Sequence, residues 1–212
     1  MISTYLLKKR FQNLLRPLSR NLLNSGVTPN HVTFGTMVIS VVFAIVIGRM
    51  AKTPVVFWSV PVFLFVRMAL NAIDGMMAKE GKMESALGVF LNELGDVVSD
   101  VALFFSFCAV SSVRLEPMIL FAVLAMISEM AGVVAVQTGA SRRYEGPMGK
   151  SDRAVLMGLI AVLIAVGISS SLVFDIILNL GSLALLITIV NRVRKGLLDS
   201  KKVNSFKEGT GL

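Results

Sequence analysis

Histidine, cysteine and tryptophan each occur once in this chain of 212 residues. The single cysteine, Cys108, excludes an internal disulfide, and its place in an apolar run makes it a small buried hydrophobe. The single histidine, His31, has no second Cys or His beside it. That excludes a zinc centre of the usual histidine and cysteine type and leaves a structural or interfacial side chain. Charge is scarce as well: 16% of residues are charged against 55% hydrophobic, and mean hydropathy is +0.77. These proportions lie outside those of a soluble domain and imply a polytopic membrane protein. Acidic residues number 13 against 21 basic ones, for a net charge of +8. With no soluble domain to carry that charge, it reads as attraction to anionic headgroups and not as nucleic-acid binding.

What the chain does have is apolar runs. Six fall near Val32–Gly48, Val55–Asn71, Val89–Ser112, Met118–Val136, Ala154–Gly167 and Leu172–Val190, several approaching the roughly 20 residues a spanning helix needs. The predicted fold class is all-α integral membrane: six transmembrane helices preceded by an N-terminal interfacial amphipathic helix. In that first segment Leu7, Phe11, Leu14, Leu15, Leu18 and Leu22 recur at helical steps among Lys8, Lys9, Arg16 and Arg20. It lacks the unbroken apolar core of a signal peptide, and packing on the rest of the protein is its competing reading. Three regions follow: residues 1–25 as the interfacial helix, 26–195 as the six-helix membrane domain, and 196–212 as a cytosolic tail expected to fray from Lys201. Lys and Arg crowd into the N-terminal segment, the 79–87 loop, the 138–153 loop and the tail. The other three connections hold only Arg49, Lys52 and Arg114. The positive-inside bias therefore predicts cytosolic termini, with Trp58 as an aromatic anchor at the outer face.

One stretch breaks the apolar pattern. Asn71, Asp74 and Ala78 share a face at the end of the second span, and Gly88, Asn92, Asp96 and Asp100 step by four down the third. Polar groups at such depth are costly and mark function by default. The two antiparallel spans are joined by about nine residues, so the spacing predicts neighbours whose polar faces meet. Gly75 and Gly88 leave room for a close approach by a helix or a ligand. Carboxylate and amide oxygens from two helices suit Mg²⁺, Mn²⁺ or Ca²⁺. A proton or ion pathway and a structural polar seam use the same residue types, and all three readings stay open on spacing alone. Arg67 and Asp100 each lie about 18 Å in by the helical rise. At equal depth Arg67 is expected to pair with Asp100, or with Glu129 of the fourth span, because an unpaired charge there is expensive.

The same residues carry a resemblance. The spacing Asn71-x2-Asp74-Gly75-x2-Ala78-Lys79-x8-Gly88-x3-Asn92-x3-Asp96 resembles the motif Asp-x2-Asp-Gly-x2-Ala-Arg-x8-Gly-x3-Asp-x3-Asp of the CDP-alcohol phosphotransferase (CDP-alcohol phosphatidyltransferase) family, integral membrane enzymes of phospholipid synthesis. Every interval agrees; Asn71, Asn92 and Lys79 depart in residue type, as in a variant bacterial subgroup. The stretch from Gly26 to Thr33 and the placement of the spans also look like the family's. The resemblance implies transfer of a phosphatidyl group from a CDP-linked lipid such as CDP-diacylglycerol to an alcohol hydroxyl, with release of CMP. It implies Asn71, Asp74, Asn92 and Asp96 as metal positions for Mg²⁺ or Mn²⁺, Asp96 as the base, and Asp74, Gly75, Ala78, Lys79 and Gly88 around the CDP donor. It further implies a homodimer in a bacterial inner membrane. Two amides in place of carboxylates remove charge from the metal shell, and Lys79 lacks the planar fork of Arg.

A second basic cluster, Arg142, Arg143, Lys150 and Arg153, precedes the fifth span, and Arg192 and Arg194 end the sixth. As a plain topology signal these anchor the cytosolic face. In the sharper reading Lys150, Arg153 and Arg192 bind a phosphate on the acceptor, in a turn shaped by Gly146, Pro147 and Gly149. Ser151 or Asp152 is placed to cap the following helix, or Asp152 to pair with an arginine. The acceptor is then a small phosphorylated alcohol such as glycerol 3-phosphate. A small transporter or ion pathway, or a catalytically silent membrane partner of a lipid enzyme, is the alternative function.

Overall fold

The computed structural model describes the backbone of residues 2–210 and the side chains of residues 10–201. Among these the only regular secondary structure is helical. Seven helices run α1 (Ile2–Asn24), α2 (Pro29–Arg49), α3 (Ser59–Glu80, entered through a 3₁₀ turn at Pro54–Trp58), α4 (Ala86–Phe107), α5 (Leu115–Gln137), α6 (Lys150–Ala165) and α7 (Ser171–Thr210).

Local chemistry sets the boundaries. Pro29 opens α2, and the Thr28 Oγ1 accepts from the His31 N–H at 3.3 Å while the Thr28 N–H donates to His31 Nδ1 at 3.3 Å. This reciprocal cap gives the lone histidine its structural role. Ser85 Oγ accepts from the Gly88 N–H at 3.0 Å and starts α4. Asp152 caps α6 by reaching back to accept from the Gly149 N–H at 2.8 Å, and among the described residues it makes no ion pair with an arginine. Gly146, at φ +140°, has a reason to be glycine: a Cβ there would lie 2.5 Å from the Thr188 side chain. The α5–α6 loop thereby seats flat on α7, where Met148 N–H donates to Thr188 Oγ1 at 3.0 Å.

The α2, α3, α5 and α7 segments are each long and apolar enough to cross a membrane. Their outward faces, including Val42, Val62, Phe65, Met130, Leu180 and Val190, are exposed apolar surface suited to lipid. The fourth and sixth helices differ from the expected uniform spans. α4 has the length but carries Glu93, Asp96 and Asp100, and α6 has only 16 residues. At 1.5 Å per residue α6 is about 24 Å long, short of the roughly 30 Å hydrocarbon core. The tail expected to fray instead continues α7 unbroken to Thr210.

One apolar core, with Phe57, Phe104, Phe107, Phe121 and Phe174 fully buried, joins α3 to α7 and takes in Ile47 of α2. A smaller cluster of Ile73, Met76 and Met77 packs on Leu15, Leu22 and Leu23 of α1. Leu14 and Leu18, on the other side of α1, are exposed. Leu7, Lys8 and Lys9 of the expected amphipathic face lie outside the described side chains. The tightest helix pairs are α2 with α4 and α5 with α7. The third and fourth helices, joined by the short Gly81–Ser85 connection, were expected to pack directly, yet they make little backbone contact because α2 packs on both. Long polar side chains span the gap between them.

Candidate active site

The gap between α3 and α4 is lined by the motif residues. Asp74, buried on α3, accepts from the Thr33 hydroxyl of α2 at 2.8 Å. The Asn71 amide donates to Asp96 Oδ1 at 3.4 Å, linking α3 to α4. Asp96 Oδ2 lies 2.5 Å from Lys150 Nζ at the start of α6. Three of the proposed residues, from three helices, therefore meet at one carboxylate. Asn92 sits half-buried one turn before Asp96 on α4. Gly75 faces open space, with no atom within 4 Å of where a Cβ would stand. A Cβ on Gly88 would lie 2.8 Å from Asn30 Oδ1, so there the missing side chain admits helix α2. Lys79 is exposed and Ala78 half-buried at the end of α3.

Below this point runs a buried ion network. Arg67 Nη1 donates to Asp100 Oδ1 at 2.6 Å, as equal depth required, and a second Arg67 nitrogen lies 3.6 Å from Asp96. Arg153 Nη2 donates to Asp100 Oδ2 at 3.0 Å, and its Nη1 to Glu129 Oε1 at 2.8 Å. Arg192 Nη1 donates to the Ser128 carbonyl and lies 3.5 Å from Glu129 Oε2. Arg142 bridges Glu93 of α4 and Glu129 of α5, and its guanidinium lies 4.4 Å over the Tyr144 ring. Arg143 pairs with Glu145 at 3.2 Å and with Asp199 of α7. The Glu145 carboxyl is held below its ordinary range. Burial pushes it up, but its own N–H, the Tyr144 N–H and the neighbouring Arg143 and Lys195 outweigh that.

The sequence pattern anticipated the Arg67–Asp100 pair and the meeting of Asn71 with Asp96, but it assigned Lys150 to an acceptor phosphate, whereas its ammonium lies 2.5 Å from Asp96. It missed Thr33 as the partner of Asp74, and Glu93 and Arg142 as the strap that ties the α5–α6 loop to α4. A row of hydroxyls in an apolar run, Thr33, Thr36 and Ser40, was the available signal, with nothing to single out Thr33 among them. Nothing local marked Glu93, since its partner lies far along the chain.

The donor set is oxygen only: carboxylates from Asp74 and Asp96, amide oxygens from Asn71 and Asn92. Among the described residues no three of Asp, Glu, His and Cys converge as a ready metal shell. The four side chains nonetheless fit a hard divalent cation in kind. The Lys150 ammonium drawn to within 2.5 Å of Asp96 shows that this spot attracts positive charge.

Helices apolar on the outside, with carboxylates, amides and paired guanidiniums gathered between them, define a polytopic helical membrane protein built around a polar intramembrane site. The chain belongs to the CDP-alcohol phosphatidyltransferase family, whose model matches residues 26–192. It is 36% identical over 202 residues to the inner membrane protein YnbA of Escherichia coli K12, covering 95% of this chain and all of that one. Its fold is similar to the solved Mycobacterium tuberculosis phosphatidylinositol phosphate synthase PgsA1. The form with CDP-DAG bound matches at TM-score 0.71 and 21% identity over 85% of this chain and 92% of that one. The form with manganese and citrate matches at TM-score 0.71 and 21% identity, over 85% and 88%.

Proposed function

We propose that this protein transfers a phosphatidyl group from CDP-diacylglycerol to the hydroxyl of a small polar alcohol and releases CMP. The observation that carries this reading is the convergence of Asp74, Asn71 and Asp96 from two helices onto one cleft in a chain of this family. CDP-DAG in the PgsA1 structure supports the donor.

The chain's own residues account for the chemistry as follows. Gly75 and the adjoining open face of α3 let the nucleotide diphosphate lie against backbone, with Lys79 as an exposed cation for its phosphates. Thr33 holds Asp74, and Asn71 with Lys150 holds Asp96, so both carboxylates keep their aim. Asp96 takes the proton from the acceptor hydroxyl as its oxygen forms a bond to the lipid-bearing phosphorus. The bond from that phosphorus to the CMP oxygen breaks, and CMP leaves with the electron pair. A divalent ion, Mg²⁺ or Mn²⁺, held by Asp74 and Asp96 with amide oxygens of Asn71 and Asn92, would offset charge on the diphosphate; manganese in PgsA1 supports this choice.

The same reading takes the protein as a homodimer of the bacterial inner membrane, with six spans and cytosolic termini, organised as residues 1–25, 26–195 and 196–212. The clustering of Lys and Arg at one set of connections supports the orientation, and exposed Leu14 and Leu18 on α1 support an interfacial first helix. The phosphorylated acceptor expected from the sequence, such as glycerol 3-phosphate, would need Lys150, Arg153 and Arg192 for its phosphate, but all three are engaged by Asp96, Asp100 and Glu129, so the reading is kept to a small polar alcohol. The decisive assay is CMP release from CDP-diacylglycerol with Mg²⁺ or Mn²⁺ by the purified protein. Asp96→Asn should lower the rate by about 100-fold or more; full release by that variant would refute the mechanism.

A further inference from the structure

The cations beside the catalytic carboxylate bear on which alcohol can be used. Arg153 and Arg192, expected to grip an acceptor phosphate, are only 2% and 1% exposed. All three guanidinium nitrogens of Arg153 are engaged: Nε and Nη2 by Asp100 at 3.3 and 3.0 Å, and Nη1 by Glu129 at 2.8 Å. Arg192 is held by the Ser128 carbonyl and lies 3.5 Å from the other Glu129 oxygen. Lys150, the more accessible of the three, is spent on Asp96 itself at 2.5 Å.

Charge is balanced almost group for group. Arg67, Arg142, Lys150, Arg153 and Arg192 are matched by Glu93, Asp96, Asp100 and Glu129. A phosphate dianion brings two negative charges, and this network has one uncompensated positive charge to meet them. The dianion would also approach Glu129 and Asp100 at the distances of the guanidiniums they neutralise, where like charges repel strongly in a medium of low dielectric. Space argues the same way. The cavity beside Arg153, between α4 and α5 and lined by Asp100, Phe104, Met126 and Glu129, is about 10 Å³. That is room for a single water and not for a phosphoryl group.

We infer that the acceptor is an alcohol carrying no phosphate, with Glu129 and Asp100 neutralising Arg153 and Arg192 so that these arginines position the cleft and do not bind substrate. This deepens the transferase reading and rests on it. By this inference the protein differs from PgsA1, named a phosphatidylinositol phosphate synthase, in the charge its acceptor pole tolerates.

The test is a paired panel with the purified full chain, CDP-diacylglycerol and Mn²⁺: glycerol against glycerol 3-phosphate, inositol against inositol 1-phosphate, serine against phosphoserine. At least one free alcohol should release CMP ten times faster than its phosphate ester. Equal or greater release with every ester would overturn the inference and leave the transferase reading intact. No release with any of the six would overturn both. As a second measurement, Glu129→Gln uncovers Arg153 Nη1 and Arg192 and should shift the ratio toward the ester by tenfold or more. A folded, active variant with an unchanged ratio would count against Glu129 as the excluding group.

Discussion

Replacing Asp100 by Asn keeps the side chain's shape and removes one charge from the middle of the ion network. Its carboxylate lies 2.6 Å from Arg67 Nη1 and 3.0 Å from Arg153 Nη2, and both guanidiniums are buried. Deleting one partner of a buried pair costs about 3–5 kcal/mol because the other charge is left without compensation. Here Arg153 keeps Glu129 at 2.8 Å and Arg67 keeps a longer contact to Asp96 at 3.6 Å. The lower end, about 3 kcal/mol, is therefore the expectation. On the scale of domains of this length that lowers the unfolding midpoint by about 6–12 °C. Thermal unfolding of the detergent-purified variant measures it. Adding Arg67→Leu removes the stranded cation, so the double variant should be less destabilised than the two single costs together, by a coupling of about 1–3 kcal/mol. A midpoint for the single variant within roughly 2 °C of wild type, or costs that simply add, would refute the claim that this pair is charge compensation at depth.

Two glycines should part company. Gly75→Ala meets nothing within 4 Å and should leave the unfolding midpoint unchanged or slightly raised, yet cut CMP release tenfold or more by filling the donor-facing surface; unimpaired turnover would remove Gly75 from that surface. Gly146→Ala places a Cβ 2.5 Å from Thr188 at φ +140° and should cost about 1–3 kcal/mol in thermal unfolding, with a neutral result showing that the loop does not need its seat on α7. Thr33→Val keeps the volume and removes the hydroxyl that Asp74 accepts from at 2.8 Å, which should cost about 1–3 kcal/mol in the same measurement; no loss would mean the carboxylate finds an equivalent donor.

Much of this protein could be read from the chain alone. Hydropathy marked the four helices long and apolar enough to cross a membrane, because a helix in lipid satisfies its own backbone and needs only apolar side chains of sufficient length. Four-residue steps placed Asp96 and Asp100 on one face of α4, and arithmetic of depth paired Arg67 with Asp100, since helical rise is a constant. The motif intervals set Asn71 opposite Asp96, one turn of α3 from Asp74. Other features depend on which helix fronts which, and no local pattern carries that. The short connection between the second and third spans suggested contact, but α2 packs on both α3 and α4 and turns a seam into a gap that Thr33 shares. Arg153 and Arg192 look like free cations in a basic loop and at a helix end. Only the tertiary structure brings Glu129 and Asp100 against them, because charge partnership is settled by distance in space and not by position along the chain.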